Sequence, residues 1–155
     1  MMKSISSICI LLFLIPVLSM AHAGEKGSVV DLDLDSLRWK NRVLIILSPT
    51  ESDLSFQLQK KELASSFEGV LERDLMILEL LEHGESRAGN MFLSEKAVED
   101  IRGRLGVRSG PFQVYLIGKD GTVKLRSAEP VPVKDIFGLI DSMPMRRQEM
   151  ESKKK

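Results

Sequence analysis

The chain has 155 residues, of which 43% are hydrophobic and 28% are charged, with 22 basic against 22 acidic side chains. This size and balance indicate one folded domain and exclude a disordered, fibrous or disulfide-stapled chain. A formal net charge of zero argues against a protein that binds nucleic acid through bulk charge. We therefore expect no nucleic-acid partner.

The first 23 residues have the three parts of a secretory signal peptide. Met1-Met2-Lys3 is basic, residues 8–18 are apolar, and Ala21-His22-Ala23 is a small-residue cleavage site. The apolar run is shorter than the about 20 residues that span a bilayer, which favours cleavage after Ala23 over an uncleaved anchor. The cleaved protein would be secreted or periplasmic, without a membrane span. Cleavage removes Cys9, the only cysteine, and leaves 132 residues with net charge −1 and one histidine, His83.

A polar lead-in segment at residues 24–36 is followed by a sharper apolar pattern. The run Val43–Leu47 is continuously apolar and rich in β-branched residues, which predicts a strand buried on both faces and ended by Ser48-Pro49. Thr50-x-x-Asp53 resembles the capping box of a helix. The apolar residues whose spacing predicts this helix are Leu54, Leu58, Leu63, Phe67 and Val70.

The rest of the chain predicts three more strands and two more helices. In chain order they are a strand at 75–81, a polar connection at 82–93, a helix that follows Ser94 and ends at Gly106, a strand at 112–117, a tight turn with Asp120-Gly121, a strand at 122–126 and a helix at 135–141.

The predicted order is β-α-β-α-β-β-α, which is an α/β fold. Two strands joined by a helix prefer a parallel pair, and the closely coupled last two strands form a hairpin. We therefore expect a mixed four-stranded sheet flanked by helices on both faces, in one domain at residues 37–145. Residues 146–155 carry five basic and two acidic side chains and are predicted to be a basic C-terminal tail.

This order, with a proline before the third strand, resembles the thioredoxin fold. The stretch Val107-Arg108-Ser109-Gly110-Pro111-Phe112 ahead of Gly118-Lys119-Asp120-Gly121 carries the resemblance. It makes Pro111 a candidate cis proline, with a trans turn proline as the alternative. The positions that would correspond to the thioredoxin site are Pro49, Thr50, Glu51, Ser52, Asp53, Arg108 and Pro111.

The thioredoxin-like site has no cysteine. Thiol–disulfide exchange requires a thiolate nucleophile, which a serine hydroxyl does not replace. Dithiol oxidoreductase activity is therefore excluded for the cleaved chain. Peroxide reduction of the peroxiredoxin kind also needs a cysteine, so this activity is excluded for the cleaved chain for the same reason.

A closer resemblance is to the domain-of-unknown-function family 4174, a thioredoxin-like group of secreted bacterial domains with relatives in animal extracellular-matrix proteins. The stretches that carry it are Leu-Arg-Trp-Lys-Asn-Arg at 37–42, residues 116–121, residues 124–127 and residues 140–150. The resemblance implies a thioredoxin-like fold and no particular reaction.

Basic clusters are the candidate binding residues. Trp39, the only tryptophan, has arginine and lysine neighbours, and an arginine beside a tryptophan favours stacking or bidentate contacts with anionic groups. Trp39 packing the lead-in segment onto the sheet is the alternative. Lys124 and Arg126 share a hairpin face because side chains alternate along a strand. The complete candidate set is Arg38, Trp39, Lys40, Arg42, Lys119, Lys124, Arg126, Arg146 and Arg147.

These observations predict a non-catalytic binding module whose partner is a protein or an anionic polymer. One alternative is a cysteine-independent enzyme or peroxiredoxin-like relative that uses the Thr50–Asp53 loop opposite Pro111, with Arg108 holding an anion. Another is a structural envelope component anchored by an uncleaved leader. We expect no cofactor and no metal, because His83 is isolated and the aspartates at 31, 33 and 35 lack the glycine and glutamate of a calcium loop.

Overall fold

The computed structural model describes residues 27–153, so the predicted signal peptide lies outside the described part. The strands are β1 Val29–Val30, β2 Arg42–Thr50, β3 Leu75–His83, β4 Arg87–Ala88, β5 Met91–Leu93, β6 Gln113–Ile117 and β7 Val123–Ser127. The helices are α1 Leu54–Ala64, α2 Phe67–Glu72, α3 Glu95–Leu105, α4 Val133–Ser142 and α5 Pro144–Ser152, and a 3-10 helix covers Leu34–Leu37. Within residues 27–153, no helix has the length and apolarity needed to cross a bilayer.

The strands form one mixed sheet in the order β1-β5-β4-β3-β2-β6-β7. β2 pairs parallel with β3 and antiparallel with β6, and β6 and β7 form the predicted hairpin. The mixed α/β sheet is confirmed, but it has seven strands instead of the four predicted. The prediction for residues 82–93 is corrected. This predicted polar connection contains β4 and β5, which are too short to show a strand pattern in the sequence.

Both faces of the sheet are buried. Along β2, the alternate residues Val43, Ile45 and Leu47 belong to one apolar cluster, and Leu44 and Ile46 belong to another. Helix α3 contributes to the first cluster, while α1, α2 and α4 contribute to the second. A sheet covered on both faces explains the continuous apolar run at this strand.

The apolar spacing identified the first helix but did not distinguish its buried residues. Of the residues in that spacing, Leu54 is 86% exposed and Leu58 is 53% exposed, whereas Leu63 is buried together with Phe56, which the spacing did not include. The helix begins after Asp53, whose Oδ1 accepts a hydrogen bond from the Phe56 N–H at 3.0 Å. A second helix, α2, starts separately at Phe67, which is 61% exposed. The apolar spacing therefore combined residues from two helices with different buried faces.

Helix α1 also buries a polar residue, Gln59. Its side-chain amide donates to the Val131 carbonyl at 3.0 Å and accepts from the Val131 N–H at 2.7 Å. Both polar ends of the amide are thereby satisfied, which offsets the cost of removing it from water.

The structure corrects the expectation for Pro49 and decides between the two alternatives for Pro111. β2 continues through Pro49 to Thr50, although Ser48-Pro49 predicted its end. β6 pairs with β2 only from Val43 to Leu47, so the missing N–H of Pro49 removes no hydrogen bond on that side. Pro111 follows a trans peptide bond, since no peptide bond within residues 27–153 is cis.

Candidate functional site

Residues 49–53, which are predicted to correspond to part of the thioredoxin active site, lie at the carboxyl end of β2, at a sheet edge where α/β folds commonly bind ligands. Thr50 at the end of β2 pairs with His83 at the end of β3. The Thr50 Oγ1 lies 3.1 Å from the Ser52 Oγ, and the Asp53 carboxylate caps α1. Pro49 is half-buried, whereas Glu51 and Ser52 are exposed. Thr50 and Asp53 thus have local structural hydrogen bonds.

The loop that carries Arg108 and Pro111 is attached to β3 instead of to the Thr50–Asp53 loop. The Gly110 N–H donates to the Glu82 Oε1, and the Arg108 carbonyl accepts from Arg102 at 3.1 Å. Within the described residues, no hydrogen bond joins the Thr50–Asp53 loop to Arg108 or Pro111. The side chains of Arg108 and Pro111 are exposed.

A cavity of about 740 Å³ lies beside this strand end, and we call it the β3 cavity. Its position was not foreseen from the sequence, because it is formed by segments far apart in the chain. None of residues 49–53 is among the described residues that line it. The lining residues are Gly27, Val29, Leu81, Glu82, His83, Gly84, Glu85, Ser86, Phe92, Leu93, Glu95, Val98, Glu99, Arg102 and Ser109.

Two of the predicted binding residues, Arg42 and Arg146, are buried, each being 1% exposed. Arg42 donates to both carboxylate oxygens of Glu149, at 3.2 and 3.1 Å. Arg146 lies 2.5 Å from Glu72 and 3.1 Å from Asp141. These arginines bind other parts of the same chain, and their burial removes them from the surface available to a partner.

Lys119 joins these arginines in a set of paired charges, which we call the α5 ion network. Its Nζ lies 2.8 Å from both Asp74 and Glu149. The network consists of Arg42, Arg73, Lys119 and Arg146 with Glu72, Asp74, Asp141 and Glu149. It attaches α5 to the rest of the domain, so most of the predicted basic tail at 146–155 belongs to a docked helix.

Burial disfavours the charged forms of Glu149 and Arg146, whereas their hydrogen bonds to oppositely charged groups favour those forms. Burial alone would raise the pKa of the Glu149 carboxyl, but hydrogen bonds from Lys119 and Arg42 outweigh it and hold that pKa below its usual value. Burial likewise lowers the pKa of Arg146, and its hydrogen bonds to Asp141 and Glu72 raise it above the usual value. Glu149 and Arg146 are therefore ionised at neutral pH.

The exposed candidates gather around one turn. Trp39 is 62% exposed and has a backbone φ of 65°, a left-handed conformation that is unusual for a bulky residue. Its N–H donates to the Lys119 carbonyl at 2.7 Å, and Arg38 lies 6.0 Å from its ring centroid. Gly121 has φ +79°, and a Cβ there would lie 2.9 Å from the Arg38 Nε. The Trp39 turn therefore lies against the β6–β7 turn.

The other exposed cations have local partners. Lys40 donates to the Ser36 carbonyl at 3.0 Å, and Lys124 lies 2.6 Å from Asp120. Arg126 lies 5.4 Å from the centroid of the Tyr115 ring, to which it is paired across β6 and β7. Arg147 is exposed on α5. We define the Trp39 surface as Arg38, Trp39, Lys40 and Lys124.

Asp120 gives this turn a pH dependence. Burial alone would raise the pKa of Asp120, but hydrogen bonds from Lys124 and from the Thr122 N–H and hydroxyl lower it to about 2. A carboxyl whose pKa is lower in the folded state than in the unfolded state stabilises the folded protein. For an aspartate this contribution is complete above the unfolded-state pKa of about 4, and it is lost as the pH falls towards 2. We expect Asp120→Asn to be less stable than wild type above pH ~4, with the difference shrinking towards pH ~2. Urea denaturation across this range measures it, and a difference that does not vary with pH contradicts it.

Comparison with solved structures supports the fold. The chain is similar to the reduced Plasmodium vivax 2-Cys peroxiredoxin, with a TM-score of 0.54 and 15% identity, over 76% of this chain and 85% of that one. For Plasmodium yoelii thioredoxin peroxidase I the TM-score is 0.54 at 16% identity, over 76% of this chain and 80% of that one. At these identities the likeness establishes a thioredoxin-like fold alone.

The sequence comparisons define the family. The chain is 32% identical to the Sushi repeat-containing protein SRPX2 of Xenopus laevis over 147 residues, which are 90% of this chain and 31% of that protein. It is 29% identical to the Coiled-coil domain-containing protein 80 of Danio rerio, over 81% of this chain and 16% of that protein. The chain thus spans less than a third of the length of these relatives. Residues 33–149 match the family described as Domain of unknown function (DUF4174), and the chain belongs to that family.

Proposed function

We propose that this protein is an exported, non-catalytic binding module that contacts a protein partner through the Trp39 surface. Export is supported by the signal-peptide features of residues 1–23. Binding without catalysis is supported by a thioredoxin-like site that has no thiol and whose Thr50 and Asp53 have local structural hydrogen bonds.

The observation that carries the proposal is the exposure of Trp39 on a fixed backbone. Tryptophan and arginine are enriched among the residues that dominate binding energy at protein interfaces. Trp39 is 62% exposed, yet its N–H is hydrogen-bonded to the β6–β7 turn and Arg38 lies beside its ring. A large apolar side chain in this position has no evident role in the core.

Charge favours a protein over an anionic polymer as the partner. The cations near Trp39 have acidic neighbours: Arg38 lies 3.7 Å from Asp35, and Lys124 lies 2.6 Å from Asp120. A polyanion is attracted by an excess of positive charge, which these pairs reduce. A mixed aromatic and charged surface is typical of protein interfaces.

The test is chemical crosslinking and capture from the native extracellular or periplasmic fraction at low and high salt. We expect Trp39→Ala to reduce partner capture by about tenfold or more, as for a residue at the centre of an interface. Phe67→Ala is the matched control, because Phe67 is an aromatic residue of equal exposure, 61%, on helix α2. It should capture as much partner as wild type.

Three outcomes would overturn the proposal. Equal capture by wild type and Trp39→Ala would remove Trp39 from the contact surface. Equal losses in Trp39→Ala and Phe67→Ala would indicate nonspecific apolar adhesion. Capture of an anionic polymer that is abolished at high salt would replace the protein partner by a polyanion.

A further inference from the structure

The β3 cavity has the size and position of a ligand site. Its volume of about 740 Å³ lies within the range of small-molecule pockets, which is about 300–1,000 Å³. It lies at the carboxyl end of β3, beside the end of the parallel strand β2. Ligands of open α/β sheets bind preferentially at this edge.

One wall of the cavity is apolar. Leu81 and Leu93 are buried in the domain and also border the cavity, together with Val98 and the Phe92 side chain. An apolar wall favours a ligand with a hydrocarbon portion, because contact with it removes apolar surface from water. A fully hydrated inorganic ion would not gain from this wall.

The charge on the rest of the lining is acidic. Four carboxylates border the cavity, and Arg102 is the one lining residue with a permanent positive charge among the described residues. Glu82 accepts from the Gly110 N–H, and Glu85 lies 3.2 Å from Arg87. Glu95 and Glu99 have no ion pair within residues 27–153.

Glu95 and Glu99 lie one helical turn apart on α3, so their charges repel each other. Arg102 is three residues beyond Glu99 and could pair with it, but its Nη1 donates to the Arg108 carbonyl at 3.1 Å. Two adjacent carboxylates therefore border the cavity without a cation. A bound positive charge would relieve their repulsion.

The carboxylates are not arranged for a metal ion. Within the described residues, no group of three or more His, Cys, Asp or Glu side chains is placed to hold one. We propose that the β3 cavity binds an alkyl-ammonium group: the hydrocarbon chain lies against Leu81, Phe92 and Val98, and the ammonium lies between Glu95 and Glu99. This inference does not depend on the Trp39 surface.

An alkyl-ammonium group has two possible sources, a lysine side chain in a partner segment or a free polyamine. The experiment titrates purified full-length protein with a blocked Leu-Lys-Leu tripeptide, with the matching Leu-Glu-Leu tripeptide and with spermidine. Binding is followed by NMR through the imidazole resonances of His83, which lines the cavity. The only other histidine in the chain is His22, in the predicted leader.

We expect the lysine tripeptide or spermidine to shift the His83 resonances, with weaker binding at high salt. The glutamate tripeptide should not shift them. Tighter binding of the tripeptide assigns the site to a lysine side chain of a partner segment, and tighter binding of spermidine assigns it to a free polyamine. Either result supports the proposal.

The double variant Glu95→Gln/Glu99→Gln should weaken binding about fivefold or more, since it removes two charges from the ammonium. The control is Glu68→Gln, an exposed glutamate on α2, whose helix packs on the opposite face of the sheet from α3. The absence of any His83 shift with both cationic probes overturns the proposal. So does equal binding of the glutamate tripeptide, or an equal loss in Glu68→Gln.

Discussion

Replacing Arg146 by alanine is expected to lower the free energy of unfolding by about 3 kcal/mol, because it removes a fully buried guanidinium and breaks its ion pairs with Glu72 and Asp141. The Arg146 side chain is 1% exposed and bonds Glu72 and Asp141. We place the loss at the lower end of the range for such pairs, since both carboxylates keep Arg73 as a partner and keep partial contact with water. Urea or thermal denaturation at pH 7 measures it.

The adjacent residue provides the control for this change. Arg147 lies on the same helix, but its side chain is exposed. Arg147→Ala should alter the free energy of unfolding by no more than about 0.5 kcal/mol. Equal losses in the two variants would contradict the assignment of Arg146 to a buried network, and would indicate that both arginines contribute only through net charge.

Phe56→Ala is expected to cost about 3–5 kcal/mol of stability, the usual loss when a buried phenylalanine leaves a cavity. Phe56 is fully buried and belongs to the apolar cluster that α1 forms with β2 and α4. The same denaturation measurement applies. This is the most direct test of which face of α1 packs on the sheet.

Leu54→Ala on the same helix is the comparison. Leu54 is 86% exposed, so its truncation should change the free energy of unfolding by only about 0.5 kcal/mol. If Leu54→Ala were as damaging as Phe56→Ala, Leu54 would lie on the buried face of α1.

Long and regular patterns predicted the centre of the fold correctly. The apolar run of β2 reflects burial on both faces, and α3 has the expected ends. The Ser94 Oγ accepts from the Ala97 N–H at 3.0 Å, and Gly106 takes a left-handed φ of 66°. Such signals are local, so they can be recognised without knowing the tertiary structure.

Features that depend on distant residues were not predictable in this way. Arg42 and Glu149 are 107 residues apart in the chain, and nothing local distinguishes the buried Arg42 from the exposed Arg38. The same holds for Arg146 and Arg147, which are neighbours in sequence with opposite exposure. Composition located the basic clusters, but only the packing of α5 separates the structural arginines from those that are accessible.

The candidate sites likewise divide into one that local sequence features indicated and one that depends on distant residues. The sequence singled out Trp39 because it is the only tryptophan and has basic neighbours, and its exposure keeps it a candidate. The β3 cavity was missed, since β4 and β5 have only two and three residues and resemble a polar loop. His83, the isolated histidine of the cleaved chain, is the last residue of β3, is exposed and borders the cavity.

Lys119 connects the backbone of Trp39 to the C-terminal helix, which bears on the entropy cost of binding at the Trp39 surface. Its carbonyl accepts the Trp39 N–H, and its ammonium lies 2.8 Å from Glu149 on α5. The backbone of Trp39 is thus hydrogen-bonded to a residue whose side chain is paired with the C-terminal helix. Fixing the backbone of one residue costs about 1–2 kcal/mol, and a contact residue whose backbone is already ordered in the folded protein avoids part of that loss. In the binding proposed for the Trp39 surface, the C-terminal helix would therefore contribute to preorganisation without touching the partner.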